Sequence, residues 1–190
     1  MKTSMKTPIS IYRLVSPALL ITMVLLFSCA TSSSEKKANA PEIDLQTAVI
    51  TNNLEAIKGH IAAGSDLNEK DPFGGSSPLI TAAVFDKPEA AKLLLEGGAD
   101  INFQNNDGST ALISAAFFGR PEIVQMLLEK GADKTIKNKY DTTALDNVSA
   151  PFADVKNVYD VIGNSLEPMG LKLDYAYLEK IRPEIAKMLQ

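Results

Sequence analysis

The chain has 190 residues, enough for one domain with a core of its own, and combines 45% hydrophobic residues with a formal net charge of −4. Its 19 lysines and arginines form no cluster and stand against 23 acids, which excludes the dense cationic face that binding to a phosphate backbone requires, so no nucleic-acid partner is expected. With Cys29 as the single cysteine, no disulfide can form within the chain.

Residues 1–30 open on Lys2, Lys6 and Arg13 and continue into the uncharged run Leu14 to Phe27, LVSPALLITMVLLF. Fourteen residues with Pro17 inside fall short of the roughly 20 that cross a bilayer as a helix, and the arrangement reads as a secretory signal. Leu26-Phe27-Ser28-Cys29 is similar to the lipobox of bacterial lipoprotein signals. That resemblance implies a signal peptide over 1–28 and lipid carried on Cys29. It places the mature protein in the cell envelope, tied to a membrane and facing the periplasm. Ala30 after the cysteine, in place of the aspartate of inner-membrane retention, favours the outer membrane. Cleavage near Ala30 and an uncleaved anchor are the alternatives. Loss of residues 1–28 removes three cations and no anion, leaving 16 Lys plus Arg against 23 Asp plus Glu, a net charge of about −7. Thr31 to Pro41, TSSSEKKANAP, is small and polar, so 29–41 reads as a tether whose last eleven residues reach roughly 35 Å when extended.

From residue 42 a period sets in. The stretch SSPLITAAVFDKPEAAKLLLEGGADIN (Ser76 to Asn102) returns 33 residues later as STALISAAFFGRPEIVQMLLEKGADKT (Ser109 to Thr135). Leu79 maps onto Leu112, Ala82-Ala83 onto Ala115-Ala116, and Gly98-Ala99-Asp100 onto Gly131-Ala132-Asp133. A fixed period of this size means stacked two-helix units. Small alanines allow close helix approach, Pro88 and Pro121 open the outer helix, and Gly98 and Gly131 close it. Glu89 and Glu122 stand at the positive end of that helix, a structural role. These residues resemble the ankyrin repeat, a family that binds proteins and seldom catalyses. The resemblance implies an all-α solenoid of about four repeats, 42–73, 74–106, 107–139 and 140–190.

Repeat one, Leu45 to Asn68, matches less well in its first half, as suits a capping unit. Leu45, Ala48 and Val49 should form its inner-helix face and Leu54, Ile57 and Ile61 its outer one, with one extra residue in the turn around 70–75. His60 takes the position of Leu94 and Leu127 and is expected to be a partly exposed cap residue. In repeat four, Thr142 to Val148 fits an inner helix, but its outer helix returns only at Arg182 to Leu189, an echo of Arg120 to Leu127. An insertion is therefore expected over about 150–181. It holds a helix from Ala153 to Ile162 closed by Gly163, a short extended piece at 171–173, and a further helical turn or two from Tyr175 to Ile181. The other parse makes 153–162 the fourth outer helix.

No nucleophile with a base, no phosphate loop and no metal-ligand spacing occurs, so no catalytic residue, metal or cofactor is expected. The oxygen-rich loop Asp100 to Gly108 lacks the spacing and closing glutamate of a calcium loop. In ankyrin proteins the partner meets the finger tips and the end of the inner helix. The resemblance implies a binding stripe of Val84, Phe85, Phe117 and Phe118, with Ile50-Thr51 in repeat one, rimmed by the tips Phe73, Asn106, Asp107 and Tyr140. The function expected is a lipid-anchored envelope binder of an unidentified protein, a scaffold or an inhibitor like the immunity-type ankyrin proteins that it distantly resembles. The alternative is an envelope hydrolase or ligand-binding protein with a pocket built by 150–181 from Asp154, Asp160, Glu167, Asp174, Tyr175 and Tyr177. Whether the insertion covers Phe117-Phe118 separates an open groove from a filled one.

Overall fold

Residues 39–190 are described by the computed structural model; the expected signal segment, Cys29 and most of the expected tether lie outside them. The described residues fold into α1 (Leu45–Ile50), α2 (Leu54–Ala63), α3 (Pro78–Val84), α4 (Pro88–Glu96), α5 (Ala111–Phe117), α6 (Pro121–Glu129), α7 (Ala144–Ser149), α8 (Phe152–Leu166) and α9 (Tyr175–Leu189), with a 3-10 turn at Glu167–Met169. The inner helices α1, α3, α5 and α7 stack in file, and the outer helices α2, α4, α6 and α9 stack behind them. This is an all-helical solenoid, and its core is one continuous stack with Ala82, Ala83, Ala115 and Ala116 fully buried where adjacent inner helices meet.

The same local chemistry recurs at each step. Asp44, Ser77, Thr110 and Thr143 cap the four inner helices by accepting an amide three residues on, and Thr143 with Asp146 completes a capping box. Pro88 and Pro121 open α4 and α6, where no amide donor is missed. Both helices end in a left-handed glycine, with Ala99 N–H bonded to Leu94 O and Ala132 N–H to Leu127 O. Between repeats Asn68 accepts from Asp100 N–H, and Asn102 from Asp133 N–H, which locks the units in register.

Each finger is a hairpin started by an Asx side chain. Asn105 and Asn138 take the amides two and four residues on; Asp71, in the finger that is one residue longer, takes those of Phe73, Gly74 and Ser76 at 2.7, 2.8 and 2.5 Å. Burial pushes the Asp71 carboxyl up, but the amides of Gly74, Phe73 and Ser76 outweigh it and hold the group below its ordinary value of 3.8. Hydrogen bonds from the Thr47 and Thr143 amides and hydroxyls lower the pKa of the cap Asp44 and of the capping-box Asp146 in the same way. A folded pKa below the unfolded one adds stability above the unfolded pKa that is lost as pH falls through the folded one. The urea midpoint is therefore expected to be level between about pH 5 and 7 and to drop below about pH 4. Asp71→Asn should lower the unfolding free energy by about 1 kcal/mol at neutral pH, because an amide nitrogen then faces the Ser76 N–H, and should flatten the acid limb.

Three expectations need correction. His60 is buried, with Nε2 donating to Ile43 O at 2.7 Å and Nδ1 paired with the Ser65 hydroxyl at 3.0 Å. It latches the segment before α1 onto α2, helped by Pro41 lying against Gly59. Gly163 does not end its helix but lies inside α8, where its missing side chain admits Leu173. Finally, the turns expected from Tyr175 are not a separate piece: they run unbroken into the fourth outer helix, which is α9 and carries Pro183 in its interior. It is α9 that packs along α7 and against α6. Pro183 withholds an amide there, and the buried Leu178 and Ile181 in the turns before it supply the packing that extends the helix across it.

Candidate functional site

The partner stripe expected at the inner-helix ends divides in two. Val84 and Phe85 remain half-buried and reachable, as does Ile50, while Thr51 is exposed. Phe118 is only 6% exposed, so it is interior, while Phe117 is half-buried like Val84 and Phe85 but has a ring face taken by the chain itself. The first two turns of α9 are one cause. Gly119 has φ 69°, and a Cβ on it would lie 2.8 Å from Leu178 Cδ2 and 2.9 Å from Ile181 Cγ2. Helix α9 thus reaches the turn after α5 through the gap that a glycine leaves.

Helix α8 is the other cause. The Tyr159 ring stacks on Phe117 with centroids 4.3 Å apart and planes 16° off parallel, while Phe118 meets Phe117 edge-on at 5.1 Å. The Tyr159 hydroxyl donates to Phe117 O at 2.6 Å and accepts from Arg182 Nη1 at 2.8 Å. Burial raises the pKa of this phenol more than Arg182 lowers it, so it stays protonated and keeps its donor role. Arg182 is 2% exposed. Its Nη1 also donates to Asn147 O at 2.9 Å and its Nη2 to Ala150 O at 2.8 Å, so the guanidinium closes the end of α7 as well. Arg120 holds the same place in repeat three but reaches back to repeat two, to Val84 O at 3.3 Å and Asp86 Oδ2 at 3.5 Å. Identical motifs, Arg-Pro-Glu-Ile, thus make different contacts because only the last repeat has an insertion to hold.

The fingers present the other expected residues. Phe73 is 86% and Tyr140 72% exposed, and Asn106 and Asp107 are exposed between them. Neighbouring tips are laced by Asn106 N–H to Gly74 O at 3.0 Å and Lys139 N–H to Asp107 O at 2.8 Å. A Cβ at Gly75 would collide with the Asn106 side chain, so these tips are held and not free to fold back.

Two carboxylates of the insertion, Asp160 and Asp174, have local partners. Asp160 pairs with Lys156 at 2.9 Å, which together with the Tyr175 hydroxyl lowers its pKa; Asp174 caps α9; Asp154 lies in the first turn of α8. A groove of about 450 Å³ between the end of α7 and α9 holds Glu179 as its one carboxylate, and one of about 280 Å³ between the end of α8 and Leu171–Leu173 holds Glu167 alone. Neither groove brings two carboxylates together. In the 100–108 loop, Asp100 and Asn105 turn their oxygens to amides of the loop itself. Sequence reasoning missed Tyr159 and Arg182 as a unit. The Arg182 echo of Arg120 placed it on an outer helix, but nothing in the spacing marks it as buried.

Comparison with known proteins agrees with this geometry. Residues 45–138 match the family described as ankyrin repeats (3 copies). No curated protein matches the chain. Among solved structures it is similar to the ankyrin repeat domain of Bcl-3, described as a unique member of the IkappaB protein family. The two are 33% identical with a TM-score of 0.54, over 62% of this chain and 50% of that one, so this chain spans half of that length. The two-helix units, their Ala-Ala contacts and glycine stops, and the family match over 45–138 together establish that the chain carries an ankyrin repeat solenoid.

Proposed function

We propose that this protein is a lipid-anchored module of the bacterial cell envelope, held through Cys29 and facing the periplasm at the outer membrane. There it grips one partner protein, as a scaffold or as an inhibitor of immunity type. The grip uses the finger tips Phe73, Asn106, Asp107 and Tyr140 together with Val84 and Phe85 on the open half of the stripe. The observation that carries this reading is the pair Phe73 and Tyr140, the two most exposed large hydrophobic side chains among the described residues, standing on hydrogen-bonded hairpin tips. An aromatic anchor held rigid and rimmed by polar groups is the usual form of a binding hot spot.

The test is affinity capture from the membranes of the host with the wild-type chain and with a Phe73→Ser, Tyr140→Ser variant. Loss of one such anchor is worth on the order of 2 kcal/mol, so the variant should bind its partner at least about 30-fold more weakly. Equal recovery by both chains would remove the fingers from the interface. In the same experiment Cys29→Ser should move the protein from the membrane fraction to the soluble one, and retention would end the lipid-anchor reading.

A further inference from the structure

Helix α8 buries one residue against the repeats and also meets the first residue of α9, Tyr175, through the half-buried Phe152 and the exposed Lys156. Of Phe152 to Leu166 only Tyr159 is buried, whereas α5 buries six residues and α9 five. Val158 and Val161 face solvent, and Phe152, Val155, Ile162 and Leu166 are half-buried. The helix starts after Pro151 without a side-chain cap, and the chain leaves it through the 3-10 turn and Gly170 at φ 92°. A segment with so little buried surface opens at far lower cost than the elements beneath it.

What Tyr159 covers has the chemistry of a receptor. The face of the Phe117 ring takes a stacked aromatic ring, Phe117 O accepts a hydrogen bond, and Arg182 Nη1 donates one. A phenol answers all three at once, since its ring stacks and its hydroxyl both donates and accepts. When Tyr159 leaves, Arg182 keeps Asn147 O and Ala150 O, and Leu178 and Ile181 keep their seat on Gly119, so repeat four stays whole. The surface left open is a formed site. We propose that the surface at Phe117 now covered by Tyr159 is a docking site for an amphipathic helix bearing a tyrosine, and that α8 occupies it in cis as a displaceable strap. This rests on the reading of the solenoid as a protein-binding module, and adds to it the class of partner and a gate.

The probe is a synthetic peptide of residues 152–166 added to the full chain. Hydrogen exchange in the wild type should be at least 100-fold faster in α8 than in α5. Tyr159→Ser should raise the α8 rate at least a further tenfold without changing α5 or α6. The peptide should bind the Tyr159→Ser chain saturably and slow exchange over residues 112–120. It should bind the wild type at least tenfold more weakly, because α8 competes. The same peptide carrying Y159S should lose that binding. Tyr159→Phe, which keeps the stacked ring and loses both hydrogen bonds, should fall between wild type and Tyr159→Ser, which separates latch release from misfolding. Exchange in α8 as slow as in α5 would overturn the strap, and absence of saturable binding to the Tyr159→Ser chain would overturn the docking site. Partner loss in the Phe73→Ser, Tyr140→Ser variant is read separately, so either proposal fails without the other.

Discussion

Arg182→Ala is expected to cost about 3 kcal/mol and to divide unfolding into two steps. The side chain is buried and feeds three acceptors, Asn147 O, Ala150 O and the Tyr159 hydroxyl, at 2.8–2.9 Å. Each buried group left without its partner costs about 1–3 kcal/mol. Relaxation that admits water to Ala150 O and Asn147 O keeps the total near the lower end of the sum. Stability in a stacked-repeat protein is close to a sum of unit and nearest-neighbour terms, so the loss falls on α7–α9 and leaves α1–α6 almost intact. Urea unfolding followed by circular dichroism should show an early transition carrying the helices of repeat four, and hydrogen exchange should place it in residues 144–189. Arg182→Lys recovers only part of the loss, because an ammonium lacks the planar fork that reaches α7 and Tyr159 together. A single transition at the wild-type midpoint would show that the guanidinium does not tie α7, α8 and α9.

Gly119→Ala is expected to cost about 3 kcal/mol, and Gly131→Ala only about 1, although both glycines have positive φ. At Gly131, φ 84°, no atom lies within 4 Å of the added Cβ, so only the left-handed backbone is penalised. At Gly119, φ 69°, the same backbone term is joined by the collision with Leu178 and Ile181. Overpacking of this kind typically adds 1–3 kcal/mol. For a domain of about 150 residues the difference separates the melting temperatures by roughly 4–8 °C. Calorimetry of the two variants checks it. If Gly119→Ala melts with Gly131→Ala, α9 gives way freely at this turn, and its hold on repeat three is weaker than the packing indicates.

The repeats were legible in the sequence because their determinants are local and periodic. Capping positions 77, 110 and 143, the prolines at 88 and 121 and the left-handed glycines at 98 and 131 each act within a few residues. Stacking at a fixed period then follows from burying the alanine faces. The extra residue of the first finger could be read from the offset alone, and Asp71 bridges it by using both carboxylate oxygens. The fourth outer helix was legible through its echo, Arg182 to Leu189, but its true start was not, since Pro183 signals a helix beginning when read locally. The finger residues Phe73, Asn106, Asp107 and Tyr140 lie exposed where the repeat pattern puts them.

By itself, then, the sequence determined the solenoid, its register and the position of every finger, for these rest on contacts between residues close in the chain or one period apart. Only the tertiary structure decided the fate of Phe117 and Phe118, because that depends on contacts 42 residues away at Tyr159 and across the turn at Gly119, which no period encodes. An aromatic pair at an inner-helix end reads the same whether it meets a partner or its own chain. Here the Tyr159 phenol from the insertion and the buried Arg182 guanidinium cover one face of Phe117, Phe118 is buried, and Val84 and Phe85 stay half-buried with no such cover.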